Sequence, residues 1–294
     1  MSMSLRLWGV RGSRPVHKGS TLGCGGHSTA FELQLPGEDF ALFVDAGSGL
    51  AARGPIGGKS LRSIYYVLLT HTHWDHLLGL PFFSPLYEAK NEVHLFSSTT
   101  CRGDFPSLFW ALFSPSYFPL PVEVKAKLHF HTLVSGADFL LANKVRVQTY
   151  QLNHQGVTLG YRFAYGADCV GIVTDHAPLD HGNYLGDGMP VGAAPQFVAA
   201  FEVGLVAFMQ GCHTVAFDAH FTEETLKLDW GHSTPDRALQ FCLQAGVKRL
   251  ILFHHAPEDS DADIEQKVER CRQQAGKAEI EIVAAREGDV WMLR

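Results

Sequence analysis

The sequence predicts an α/β fold formed as one large domain, and three observations lead there. Runs of β-branched and aromatic residues alternate with helical segments along the whole chain. Apolar residues make up 46% and charged residues 18%, a balance that buries a substantial core. At 294 residues the chain lies within the range of single α/β enzymes, and no composition break or low-complexity linker marks a boundary.

The elements follow in order. LRLWGV, STAFELQL and FALFVDAG read as strands, the last two joined by the turn Pro36-Gly37-Glu38-Asp39, so the chain opens as a meander ending on Asp45. SIYYVLLT, residues 63–70, has the continuous apolar character of a strand buried on both faces. LGLPFFSPLYEA offers a short helix and a loop, and NEVHLFSS another strand. Residues 101–131 read as irregular and aromatic, with Phe109-Trp110 and Tyr117-Phe118-Pro119 suited either to a lid or pocket wall or to plain core packing. KVRVQTYQL is a strand, TLGYRFAYG and ADCVGIVTD form a hairpin, PQFVAAFEVGLVAFMQ contains a helix, and HTVAFDAHF is a strand. A capped helix comes next, with Thr234 as N-cap, Pro235 first, Asp236 in the first turn and Gly246 as its stop. VKRLILFHH, EIEIVAA and DVWML complete the strands.

Composition excludes several function classes. The net charge is −6 and no run of Lys or Arg forms a stripe, so a long nucleic-acid duplex is a poor ligand. No apolar run has the length of a membrane span, and MSMSLRLWGV lacks the layout of a signal peptide, which predicts a cytoplasmic protein with no membrane partner. The six cysteines are scattered without a CxxC pair and read as reduced, mostly buried thiols. Histidine stands out, with sixteen, many at predicted strand ends where layered α/β folds place metal ligands.

The densest group is His71-Thr72-His73-Trp74-Asp75-His76, directly after a buried strand. Residues i and i+2 of extended backbone project to one side, so His71 and His73 converge on one metal. If the chain then turns into a helix, Asp75 and His76 face a second metal beside the first. Imidazole and carboxylate donors suit zinc best, with manganese or iron acceptable.

This HxHxDH pattern resembles the signature of the metallo-β-lactamase superfamily. WGVRGSRP, CGGHST, VDAGSG, THTHWDHLLGLPFF, LNHQG, IVTDH, FDAHFTEE, WGHST and LFHH stand in that family's order, closest to its phosphodiesterase-like branch, relatives of ribonuclease Z and the class III cyclic-nucleotide phosphodiesterases. The resemblance implies an αββα sandwich with two divalent metal ions at one edge of the paired sheets. It implies His154 as the third histidine on the first metal, Asp175 as the bridging carboxylate and His254 as the last ligand of the second metal. His254 is favoured over adjacent His255 by its place in the motif, which leaves His255 to support the site or to the surface. Asp75 is implied as catalytic as well as ligating, and His232 in WGHST as the proton donor to the leaving group. Asp45 is expected to orient a ligand imidazole or to cap its turn. His27 and His176 read as structural, and His220 stands where relatives often carry another polar residue. Arg11, Arg14 and Lys18 offer positive charge near the N-terminus and otherwise read as solvated loop residues.

The function implied is hydrolysis of a small or cyclic phosphodiester by a metal-bound hydroxide. Ester, thioester, lactone or lactam hydrolysis on the same fold is the alternative, and a non-catalytic metal or nucleotide sensor a third. A transfer-RNA substrate is disfavoured by the acidic chain and the lack of a Gly-Pro-rich arm. A small molecule is the expected partner, with homodimerisation open.

Overall fold

The computed structural model describes residues 2–53, 63–98, 104–118, 123–179 and 195–293. Pro119, named above, and Cys101, one of the six cysteines, lie outside them. Two seven-stranded sheets pack face to face. The first runs β14 (Val290–Met292), β1 (Ser4–Gly9), β2 (Ala30–Gln34), β3 (Phe40–Val44), β4 (Ile64–Leu68), β5 (Glu92–Ser98) and β6 (Lys127–Leu133). The second runs β13 (Glu281–Ala284), β12 (Arg249–Phe253), β11 (Thr214–Asp218), β10 (Asp168–Val173), β9 (Thr158–Tyr165), β8 (Val145–Leu152) and β7 (Asp138–Leu141).

Each sheet joins an antiparallel part to a parallel one. β1, β2 and β3 form the expected meander, and β3 to β6 are parallel. β7 to β10 are antiparallel, and β10 to β13 parallel. Parallel strands are covered on both faces, which is why β4, β11 and β12 carry apolar residues continuously instead of alternating them. Phe31, Leu42, Leu68, Tyr161, Ile172, Ile251 and Phe253 fill the space between the sheets.

Helices cover both outer faces. α1 (Ser48–Ala52) and α2 (Phe105–Leu112) bury Leu50, Phe105, Phe109 and Leu112 against Phe43, Tyr65, Val67 and Leu95 of the first sheet. α3 (Pro195–Met209), α4 (Pro235–Ala245) and α5 (Asp261–Ala275) cover the second through Leu205, Met209, Leu239, Cys242, Ile264 and Val268. The result is the αββα sandwich. Of the two readings of the 101–131 segment, core packing holds for Phe109 and Phe118, which are buried, and not for Trp110 and Tyr117, which are exposed. The same segment also holds β6, a regular strand where an irregular stretch was expected. In place of a short helix, residues 80–82 and 84–87 form two 3₁₀ turns, because Pro81 and Pro85 interrupt helical hydrogen bonding. α5 was not foreseen.

The described cysteines, Cys24, Cys169, Cys212, Cys242 and Cys271, are buried free thiols. Among the described residues no helix is long and apolar enough to cross a membrane.

Candidate metal centre

In parallel sheets the loops leaving the carboxyl ends of neighbouring strands converge. Here the two parallel blocks point their carboxyl ends at one place. Asp45 follows β3, residues 71–76 follow β4, His154 follows β8, Asp175 follows β10, Asp218 ends β11 and His254 follows β12. The turn into Asp75 and His76 is a single 3₁₀ turn, Trp74–His76.

The side chains gather in two nests. In the first, His71 Nε2 and His154 Nε2 lie 3.0 and 3.1 Å from His73 Nδ1, and each lies 3.6 Å from Asp175 Oδ2. In the second, His76 Nε2 lies 3.2 Å from Asp75 Oδ2 and 3.5 Å from Asp175 Oδ1, while His254 Nε2 lies 3.3 and 3.1 Å from the same two atoms. Asp175 therefore turns one oxygen to each nest.

The far side of these rings fixes which nitrogen faces inward. His154 Nδ1–H donates to Gly231 O at 2.8 Å and His76 Nδ1–H to Asp45 Oδ2 at 2.8 Å. Thr70 in turn donates to Asp45 through its amide and its hydroxyl, and its hydroxyl lies 3.1 Å from His71 Nδ1. Asp45 thus takes the supporting place. Gly231 cannot be replaced freely, because a Cβ there would lie 2.0 Å from His154 Nδ1 and its φ is +83°.

Backbone strain concentrates on the same residues. Asp45, Asp175 and His254 hold φ of 58°, 46° and 60°, a region that side-chain-bearing residues rarely occupy and that clusters at functional sites. The left-handed bend at His254 settles its neighbour as well. His254 faces the second nest, while His255 turns away, fully buried, with Nε2–H donating to Ala285 O at 3.1 Å. His255 is therefore a core residue, and its surface placement is corrected.

Electrostatics divides the nests. Burial pushes His71 well below its usual value, lowers His73, and takes His154 down to about 3, so these imidazoles are neutral and offer lone pairs. In the second nest burial is outweighed. His254 rises to about 9 beside Asp175, Asp75 and Asp218, and His76 rises well above its usual value beside Asp75, Asp45 and Asp175. The same contacts hold Asp75 and Asp175 well below the carboxylate range despite burial. A pocket that draws protons onto its histidines is a pocket of negative potential. It fits a cation, and the buried His76 Nε2 points at the carboxylate oxygens that such an ion would share. Three inward lone pairs in one nest, and carboxylates with two imidazoles in the other, form donor sets suited to divalent transition metals.

A cavity of about 960 Å³ opens over the nests, lined by Ser13, His73, Trp74, Asp75, His154, Asp175, Trp230 and His232 among others. His232 Nδ1–H donates to Asp218 Oδ2 at 3.0 Å, and the same nitrogen lies 3.9 Å from Asp175 Oδ2. His220 supports His232, its ring stacked on it with centroids 4.5 Å apart and its Nδ1–H donating to His254 O at 3.3 Å.

All eight residues read from the sequence as ligating or catalytic come together here. Asp218, Ser13 and Trp230 had not been singled out. Asp218 closes β11 as Asp45 closes the strand FALFVD and Asp175 the strand CVGIVTD, so a repeated strand-end carboxylate was its available signal. Ser13 acts through its amide, which donates to Asp75 Oδ2 at 2.8 Å, and a backbone group leaves no mark on sequence. Arg11 differs from both of its readings. It is fully buried, donating to the carbonyls of Gly25, Ala256 and Asp259, so it is neither solvated nor free for a phosphate. Arg14 is exposed beside Glu258. His176 is structural as expected, accepting from Asn153 N–H and stacked on Phe201.

A two-sheet sandwich with imidazoles and carboxylates gathered at its strand ends defines the class of metal-dependent hydrolases. Residues 41–255 match the Beta-lactamase superfamily domain, and the chain belongs to that family. It is 26% identical over 267 residues to ribonuclease Z of Ignicoccus hospitalis, covering 82% of this chain and 88% of that one. Against ribonuclease Z of Bradyrhizobium sp. the figures are 22% over 250 residues, with 76% and 82% covered. The metallo-beta-lactamase fold protein YhfI from Bacillus subtilis superposes with a TM-score of 0.69 at 15% identity, covering 99% of both chains. The chain is a metal-dependent hydrolase, and its His and Asp clusters fit the divalent ions that the family implies.

Proposed function

We propose that residues 1–294 act as one hydrolase domain that cleaves a small or cyclic phosphodiester with two zinc ions. The observation that carries this reading is Asp175, whose two oxygens serve the two nests separately, as a bridge between paired cations must. Bound there, such ions supply Lewis acidity toward phosphoryl oxygens and an acidified water.

The chain's own residues then divide the work. His71, His73 and His154 would hold the first ion, Asp75, His76 and His254 the second, with Asp175 available to both. Asp75 is kept on its mark by Ser13 N–H. His232, aligned by Asp218, protonates the leaving oxygen from the cavity wall. This dyad suits a poor leaving group, as in an alkyl phosphodiester, and disfavours the thioester among the alternatives, since the ester, lactone and lactam leaving groups are poor as well. An open cavity over the nests argues against a sensor without catalysis. The free cysteines among the described residues suit a reducing, cytoplasmic setting. A polynucleotide substrate is the second reading, supported by the ribonuclease Z relatives. The net charge of −6 weighs against it.

The test compares leaving groups. An alkoxide leaves slowly unless protonated, and a positioned acid contributes about 10² to 10⁴ in rate. A nitrophenolate needs no such help. His232→Ala is expected to lower kcat on a cyclic or alkyl phosphodiester by that factor, to leave bis-nitrophenyl phosphate nearly unaffected, and to keep the metal content. Equal losses in kcat would assign His232 to holding the phosphoryl oxygen or the fold. Turnover of a lactone or of precursor transfer RNA, with none of a small phosphodiester, would replace the substrate class.

A further inference from the structure

A separate histidine group lies on the first sheet. β5 and β6 run in register, with Glu92 opposite Lys127, His94 opposite His129 and Phe96 opposite His131. Side chains alternate along a strand, so Glu92, His94, His129 and His131 share one face. Glu92 is level with Ile64 at the start of β4, whereas the residues of the metal centre follow the other end of that strand, beyond Leu68. Four residues, about 13 Å, separate the two levels.

Glu92 Oε2 lies 3.3 Å from His129 Nε2 and 4.0 Å from His94 Nε2. The His94 and His129 rings are parallel within 8°, their centroids 4.3 Å apart. This pose is supported from behind. His94 Nδ1 lies 3.0 Å from His131 Nε2, and His131 stacks on Phe96 at 4.2 Å. When His94 Nδ1–H donates to His131, the lone pair of His94 Nε2 is left on the side of Glu92. His129 Nε2 is sealed from solvent and faces Glu92 Oε2, so imidazole and carboxylate are already turned toward one point. Burial and the neighbouring imidazoles take His94 down to about 4, which keeps it in the neutral, ligating form. Lys127 occupies the other carboxylate oxygen, Oε1, at 3.4 Å. With side-chain exposures of 42% for Glu92, 20% for His94 and 30% for His129, an ion reaches the group from solvent.

We propose that Glu92, His94 and His129 form an additional, non-catalytic site for a borderline divalent transition metal such as zinc, with His131 orienting His94. Two imidazoles and a carboxylate with one open position are a donor set such ions accept. β6 ends its sheet, so the ion ties an edge strand to its neighbour by more than the backbone ladder. The site does not depend on the function proposed above.

Equilibrium dialysis of the full chain against zinc, with bound metal counted by elemental analysis, tests it. The unmodified chain is expected to hold one ion more than His94→Ala, His129→Ala or Glu92→Gln. That difference is read identically whatever the metal centre itself retains. His131→Ala is expected to keep the stoichiometry and weaken the affinity about 10- to 100-fold. Hydrogen exchange gives a second readout: zinc slows the β6 amides of the unmodified chain and not those of Glu92→Gln, whose shape and exposure are conserved. Equal ion counts in the unmodified chain and Glu92→Gln, or β6 amides indifferent to zinc, would overturn the site.

Discussion

Helix α4 and the strand ends opposite it serve the same centre by opposite rules. α4 follows every local preference: Thr234 accepts from Arg237 N–H, Pro235 takes the first position, and Gly246 ends the helix at φ +72°. The strand ends defy preference, with Asp45, Asp175 and His254 in left-handed bends and their charge-bearing side chains buried. Each such bend costs about 1–3 kcal/mol, and the two packed sheets sustain it. Local stability is spent where ligands must be aimed and conserved where the chain only has to fold.

If that contrast holds, substitutions on the two sides separate function from stability. The largest effect is expected at the residue shared by both nests. Asp175→Asn should lose bound metal and lower kcat by at least about 10²-fold, beyond the cost of losing a supporting partner alone, as elemental analysis and steady-state kinetics would read. A protein that kept two ions and its turnover would refute the bridge. Next come the paired histidines after β12. His254→Ala should release one ion, whereas His255→Ala should keep both and cost about 2–3 kcal/mol in urea unfolding, through a lost buried hydrogen bond and a cavity. The reverse pattern would exchange their roles. The smallest effects belong to α4. Thr234→Ala and Gly246→Ala should each cost about 1 kcal/mol with metal content unchanged. A loss of metal in either would show that the helix tunes the site and dissolve the contrast.

Legibility in the sequence follows the same division. α4 was readable from its capping residues, and β4 and β12 from continuous apolar runs, because those signals are local. His71, His73, Asp75 and His76 were readable because four donors lie within six residues. β6 was obscured because KLHFHTL sits half-exposed at a sheet edge and alternates histidine with apolar residues. α5 buries a stripe of only Ile264, Lys267, Val268 and Cys271, and the reciprocal capping of Ser260 and Asp263 was its one strong local mark. The pairing of His232 with Asp218, the amide of Ser13 on Asp75 and the burial of Arg11 are products of tertiary approach, which spacing along a chain does not encode.

The two-sided reach of Asp175 has a consequence for how the protein is made. The ribosome delivers His71 to His76 early, Asp175 past the middle and His254 near the end. A nascent chain that has not yet released β12 already contains every donor of the first nest and lacks one of the second. The second nest therefore closes only once β12 and the bend at His254 have joined the second sheet.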